Sequence, residues 1–207
     1  MIITRIETQK RNINRVNIYI DHKFAFGLTD EIRYKYDLHT NKEINEDFVE
    51  DVLKAEEQRK VINAALNLIS YRQRSIKEVR QNLKTKGYED IYIEKAIEYC
   101  KSQNYLNDEE FANSFMKDKQ NLNKYGSKRI KYELISKGVS KSIIEEVLQI
   151  DPEDEYSIAL GLAEKKINSY KGQDRNSIYR KLGGFLQRKG YPYDIVKNVL
   201  NEILGND

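Results

Sequence analysis

The chain has 207 residues, 39% hydrophobic and 33% charged, with a net charge of +3. It is lean in apolar residues, yet fifteen tyrosines and six phenylalanines supply enough apolar bulk to argue against disorder. One cysteine, Cys100, excludes an internal disulfide; there is no run of eighteen apolar residues and no signal-type apolar start, so the cytoplasm is the expected compartment and no membrane partner is expected.

Residues 1–28 read as β structure. Ile2, Ile3 and Ile6 open it, Val16, Ile18 and Ile20 alternate with polar or aromatic neighbours, and Phe24, Phe26 and Leu28 do the same. Asp21-His22-Lys23 is the expected tight turn between the last two strands. Three short strands need a helix to cover their apolar face. Thr29 is placed to cap a short helix through Asp30–Tyr36, and residues 37–45 read as a loop. A helical pattern then runs from Asn45 to about Ser70; its polar middle, Lys54–Lys60, suggests a break where the N-terminal module ends.

The rest of the chain repeats itself. Val79, Leu83, Gly87, Ile93 and Ile97 form a first copy of one pattern. Ile130, Leu134, Gly138, Ile144 and Leu148 form a second, and Leu182, Leu186, Gly190, Val196 and Leu200 a third. The glycines lie 51 and 52 residues apart. A period of this length implies one helical unit used three times, and tandem units of this kind build surfaces. The expected fold is mainly α: three tandem three-helix repeats stacked end to end in a modular array after a small antiparallel β-sheet and helix module. The expected boundaries are 1–58, 59–105, 106–150 and 151–207. Within the repeats, Ser75-Ile76-Lys77-Glu78 matches a capping box. Asn107 and Asp151-Pro152 are helix starts, and each repeat glycine is the left-handed residue that ends a middle helix.

No catalytic constellation is found. His22 and His39 are the only histidines and have no metal-ligand spacing to Cys100; Gly183-Gly184 and Gly126 lack the surroundings of a phosphate-binding loop. The chain is therefore expected to be no enzyme, with no cofactor and no metal. The segments after the repeat glycines are poor in the Arg, Asn and Gln that read base edges, which argues against a sequence-specific duplex reader.

The basic residues carry the functional reading. Residues 111–150 hold eight Lys/Arg against four Asp/Glu, so the middle repeat is the most basic region. Arg72, Arg74, Lys77, Arg80 and Lys84 lead into and along the first middle helix. Lys124, Lys128, Arg129 and Lys131 do so in the second repeat, and Arg175, Arg180, Lys181 and Arg188 in the third. Positive charge on the same helix of three tandem units predicts one extended basic face for a polymeric anion or filament, with tyrosines available to stack on a single strand.

Several segments resemble the RecX regulators of the recombinase RecA. They are Arg72-Gln-Arg-Ser75 with Lys86-Gly87-Tyr88, Tyr105-Leu-Asn-Asp108-Glu-Glu-Phe111-Ala112 with Lys137-Gly138-Val139, and Phe185-Leu186 with Arg188-Lys189-Gly190-Tyr191. At the front, Arg15-Val-Asn-Ile-Tyr-Ile20 and Phe24-Ala-Phe-Gly27 are similar to the N-terminal extension of the longer Gram-positive members. Gly126 stands where the first repeat has Ser75, which removes a capping hydroxyl that Ser127 is expected to replace. The resemblance implies a curved modular array that is no enzyme, binds RecA–DNA filaments and mainly inhibits recombinase, ATPase and co-protease activities; a monomer that contacts single-stranded DNA within or beside the filament is expected. The rival reading of the residues is a general single-stranded or double-stranded nucleic-acid-binding repeat protein.

Overall fold

The computed structural model describes residues 1–205. The chain divides into two compact units. One holds Met1–Tyr71 with Arg80–Tyr105, the other Arg72–Val79 with the chain from Leu106 onward.

In the first unit, β1 (Ile3–Gln9), β2 (Asn12–Ile20) and β3 (Lys23–Thr29) form an antiparallel sheet in that order. The register pairs Ile6 with Ile18 and Val16 with Leu28. The alternation thus buries Ile3, Val16, Ile18 and Leu28, which cluster with Ile32, Leu38 and Val52 from the following helices. The β2–β3 turn has Asp21 and His22 at φ +46° and +68°, the left-handed pair of a type I′ hairpin. Asp and His tolerate this because the turn is tied down. Asp21 Oδ1 accepts from the Ile2 amide at 2.9 Å, and the His22 amide donates to Thr4 Oγ1 at 2.9 Å.

Thr29 occupies the N-cap of α1 (Asp30–Lys35), but its hydroxyl makes no capping bond to that helix. Both its amide and its hydroxyl donate instead to Glu56 Oε2, at 2.8 and 3.0 Å. Glu56 lies on α2 (Glu46–Tyr71), which runs for 26 residues as one helix. The break expected at Lys54–Lys60 does not occur, and residue 58 falls inside α2. The polar stretch stays helical because its charges find partners within reach. Lys54 pairs with Glu50 at 2.6 Å, Lys60 with Glu57 at 2.9 Å, and Arg59 with Glu31 at 2.6 Å. The α4 helix (Asp90–Ser102) packs along α2, and Gln58 Nε2 donates to the Tyr92 carbonyl at 3.2 Å.

Between them, α3 (Ile76–Thr85) begins with the expected capping box. The Glu78 amide donates to Ser75 Oγ at 3.2 Å, and the Ser75 amide donates to Glu78 Oε2 at 3.3 Å. The second unit continues with α5 (Asp108–Asn121), α6 (Ser127–Ser136) and α7 (Lys141–Val147). It closes with α8 (Pro152–Ile167), a 3-10 turn at Asn168–Tyr170, α9 (Arg175–Lys189) and α10 (Tyr193–Leu204). Asn107 and Asp151 cap their helices through side-chain oxygens, as their positions predict.

All three repeat glycines are left-handed, with φ +86° at Gly87, +80° at Gly138 and +93° at Gly190. Each closes the same helix end. The amides of Tyr88, Val139 and Tyr191 reach back to the carbonyls of Leu83, Leu134 and Leu186 at 3.4, 3.2 and 3.3 Å. The apolar pattern residues are buried in every copy except Leu148, which is half-buried. Cys100 is buried too, and burial pushes its thiol pKa up. Among the described residues no helix is long and apolar enough to cross a membrane.

Candidate nucleic-acid and partner interface

The middle helices of the repeats begin on a joint that the second unit builds twice. At the start of α3, Ser75 Oγ donates to the Lys137 carbonyl at 2.7 Å and the Ile76 amide donates to Asp108 Oδ1 at 2.9 Å. Lys77 Nζ donates to the Ser136 carbonyl at 3.0 Å. At the start of α6, the Gly126 amide donates to the Lys189 carbonyl at 2.9 Å, and the Lys128 amide donates to the Gly190 carbonyl at 3.0 Å. The Ser127 amide donates to Glu155 Oε1 at 2.6 Å, and Arg129 Nη1 donates to the Arg188 carbonyl at 3.0 Å. The parts correspond: a helix start with spare amides, the carbonyls of the next repeat's glycine turn, and an acid from the next repeat's first helix. Glu155 takes the Ser127 amide as Asp108 takes that of Ile76, and the Lys189 carbonyl, the counterpart of the Lys137 carbonyl, is met by the Gly126 amide in place of a hydroxyl. The Ser127 hydroxyl was expected to replace the one missing at Gly126.

Glu78 ties the first joint together electrostatically. Burial alone raises a carboxyl pKa, but hydrogen bonds from Arg72 and Lys137 outweigh it and bring Glu78 down to about 2. Arg72 lies 3.2 Å from Glu78 Oε1 and Lys137 2.8 Å from the same atom.

This geometry assigns most of the basic candidates a structural partner. Arg72 is held by Glu78, and Lys77 by the Ser136 carbonyl. Arg74 is half-buried and also engaged. In the first unit, Arg80 grips Glu94 through two bonds of 2.6 and 2.9 Å, and Lys84 meets Asp90 at 3.1 Å. In α6, Arg129 pairs with Glu133 at 3.2 Å and stacks on the Tyr125 ring at 3.8 Å. Lys124 sits in the left-handed region at φ +51°, and its carbonyl accepts from the Tyr191 hydroxyl at 3.1 Å. Burial, the main cause, raises the pKa of that hydroxyl, with the Glu155 charge adding to it. Lys128 and Lys131 are exposed, and neither side chain has an ion pair among the described residues.

Repeat three differs. Arg175 donates to the Gly205 carbonyl at 2.6 Å, but α9 from Arg175 to Lys189 holds five Lys/Arg and no Asp/Glu. Arg180, Lys181 and Arg188 line one open concavity of about 390 Å³ together with Tyr170 and Ser177. Lys181 donates to Gln173 Oε1 at 2.6 Å, and none of the three cations has a carboxylate ion pair among the described residues. The structure therefore brings together the last three of the candidates as a cluster. Sequence reasoning weighted the middle repeat instead, because the acids at the start of α8 balance the charge of the third repeat as a whole. A count helix by helix would have found α9. It would not have found Glu56, Asp108 and Glu155 as caps, since acids near helix starts ordinarily cap their own helix.

Four family models match the chain in order. The RecX N-terminal domain matches residues 1–45, and the first, second and third RecX three-helix domains match residues 62–100, 107–148 and 153–200. The regulatory protein RecX of Clostridioides difficile (strain 630) is 41% identical over 207 residues, covering 100% of this chain and 97% of that protein. The chain belongs to the RecX family. The RecX protein of Clostridium perfringens (strain 13 / Type A) is 39% identical, covering 99% of this chain and 97% of its own length. A crystal structure of regulatory protein RecX superposes with a TM-score of 0.80 at 27% identity, over 96% of this chain and 98% of that one. The crystal structure of RecX from Lactobacillus salivarius gives 0.67 at 31% identity, over 72% of this chain and 97% of that one. As a RecX family member the chain is a regulatory protein in recombination, with the family's general role toward RecA, and not an enzyme. The family's three-helix domains coincide with the three repeats, and its N-terminal domain with the sheet and α1.

Proposed function

We propose that this chain binds RecA–DNA filaments and modulates, mainly by inhibition, the recombinase, ATPase and co-protease activities of RecA. It acts as a monomer in the cytoplasm, through four modules spanning 1–58, 59–105, 106–150 and 151–207. The observation that carries the reading is the joint built twice on the starts of α3 and α6. A hydrogen-bonded joint of one design recurs within the second unit, and a recurring joint suits a partner that itself repeats. The exposed cations of α6 and α9, Lys128, Lys131, Arg180, Lys181 and Arg188, face acidic subunit surfaces or the strand those subunits coat. Contacts to more than one recombinase subunit favour one filament geometry over others. A differential affinity of about 3 kcal/mol shifts such a ratio by over a hundredfold.

The test is RecA ATP turnover on single-stranded DNA as the chain is titrated in. It is paired with the chain's affinity for RecA-coated and bare strand at one stated salt concentration. Falling turnover and tighter binding to the coated strand are expected; unchanged turnover with equal affinities overturns the reading. The acid-free α9 also favours the second reading, a general nucleic-acid-binding protein, which requires a steep salt dependence on bare DNA without any need for RecA.

A further inference from the structure

Beside the cationic concavity of repeat three lies a second one, of about 240 Å³, on the other side of Arg180. Tyr179 and Tyr193 stand at its sides, 43% and 66% exposed, and Gly183, Val196 and Leu200 line it. Lys197 adds a further cation there. Arg180 lines both hollows, so they are neighbours along α9, and α10 lines the second. One hollow is basic and carries a serine hydroxyl. The other sets two tyrosines and an apolar floor beside Arg180, Gln187 and Lys197.

We infer that α9 and α10 of the third repeat hold a nucleotide of a single nucleic-acid strand, its phosphate on Arg180, Lys181 and Arg188 and its base stacked at Tyr179 and Tyr193. This rests on the filament reading above and places the strand contact of that reading on repeat three. Four features choose this occupant. Five cations and no acids on α9 select a polyanion. The exposed tyrosines have no role in the cores, and large aromatics flanking a shallow apolar floor are what an unstacked base requires. A duplex keeps its bases stacked inside and has nothing to offer the aromatic hollow. Both hollows are open and lie near or below the low end of the ~300–1,000 Å³ range of drug-sized ligand sites, which suits one residue of a polymer lying across the surface. Gly184 contributes by absence: a side chain there would start 3.2 Å from Arg188 Nη1, between the two basic positions.

The experiment uses the full chain without RecA. Fluorescence anisotropy compares a dT oligomer with an abasic deoxyribose-phosphate oligomer of equal length at one salt concentration. The dT strand binds more tightly, on the order of tenfold. The double variant Tyr179→Ala/Tyr193→Ala binds dT only as well as the abasic strand. The double variant Arg180→Ala/Arg188→Ala weakens both strands by a similar factor. Circular dichroism checks that each variant keeps its helices, and Tyr193→Ala alone, at the more exposed ring, repeats the measurement should the double variant not fold. Equal wild-type affinity for dT and abasic strands overturns the inference, as does a preference for dT that survives removal of the tyrosines. A chain that shows the dT preference and loses it in the tyrosine variants, yet leaves RecA ATP turnover unchanged, supports this site and overturns the filament reading alone. A chain that suppresses turnover but shows no base preference does the reverse.

Discussion

Ser75 Oγ donates a 2.7 Å hydrogen bond to the carbonyl of Lys137, a residue 62 positions away in the next repeat. The same hydroxyl accepts from the Glu78 amide at 3.2 Å, so one buried serine both caps α3 and seats the turn of the second repeat. Ser75→Ala removes the cap and leaves the part-buried Lys137 carbonyl without that donor. Cap loss costs ~0.5–2 kcal/mol and an unmet buried acceptor about 1–3 kcal/mol more. A fall of about 2 kcal/mol in urea unfolding stability is expected. Ser75→Thr, which keeps the hydroxyl, should recover part of it.

Glycine substitutions separate conformational strain from crowding. Gly87 and Gly190 share a left-handed backbone, at φ +86° and +93°. A Cβ at Gly87 meets nothing within 4 Å, whereas one at Gly190 comes 2.5 Å from the Arg129 amide nitrogen. Gly87→Ala is expected to cost only the left-handed penalty, about 1–2 kcal/mol. Gly190→Ala must also push the second joint apart and should cost clearly more. Gly126→Ala provides the control for crowding alone. Its backbone is not left-handed, but a Cβ there comes 2.5 Å from the Gly190 carbonyl oxygen. Thermal unfolding of the three variants should rank Gly87→Ala as mildest, and equal losses at Gly87 and Gly190 would contradict the joint as described.

These contrasts mark what a linear reading reaches. The helices, their glycine ends and the capping box at Ser75 were legible, because each is set by residues within one turn of the other. The unbroken α2 was not. Its polar middle is a run of charges in sequence, and only the fold brings Glu31 to Arg59 and Thr29 to Glu56. The basic residues were legible as charge, but their partners were not. Arg80 and Glu94 are fourteen positions apart and on different helices, so their bidentate pair is invisible until the helices pack. The base-sized hollow at Tyr179 and Tyr193 escaped for the same reason: α9 and α10 supply one wall each.

Glu56 is 2% exposed and answers to donors from two elements of the N-terminal module. Its Oε2 takes the Thr29 amide and hydroxyl, and its Oε1 lies 2.9 Å from Arg15 Nη1. Glu56→Ala strands a half-buried guanidinium and the first amide of the α1 cap. Breaking a buried pair by removing one partner costs ~3–5 kcal/mol, and a loss near the lower end is expected because Arg15 keeps some access to water. Hydrogen exchange should localise the damage, with the β2, β3 and α1 amides losing protection. A loss spread evenly over the chain, or no loss, would argue that Glu56 is a solvated residue of α2 and nothing more.

Glu78 gives the chain an acid-sensitive joint. Its folded carboxyl titrates at about 2, below an ordinary value of 4.5, because the hydrogen bonds from Arg72 and Lys137 prevail over the cost of burial. Between those two values the unfolded chain binds more protons than the folded one, so stability rises with pH across that window. The contribution is fully present above about pH 5 and is lost as pH falls toward 2. A partly solvated pair is screened, so the contribution is about 1–2 kcal/mol rather than the full linkage value. Glu78→Gln keeps a side-chain acceptor for the Ser75 amide but removes the titrating charge. Urea unfolding at pH 6 and pH 3.5 measures the difference. Wild type should lose more stability than Glu78→Gln between the two, and the gap between the proteins should narrow at the lower pH. Other carboxyls that hydrogen bonds hold low, such as Glu94 under Arg80, lower both proteins alike and cancel in the comparison. Parallel acid profiles for the two proteins would mean that Glu78 does not hold the Lys137 turn through its charge.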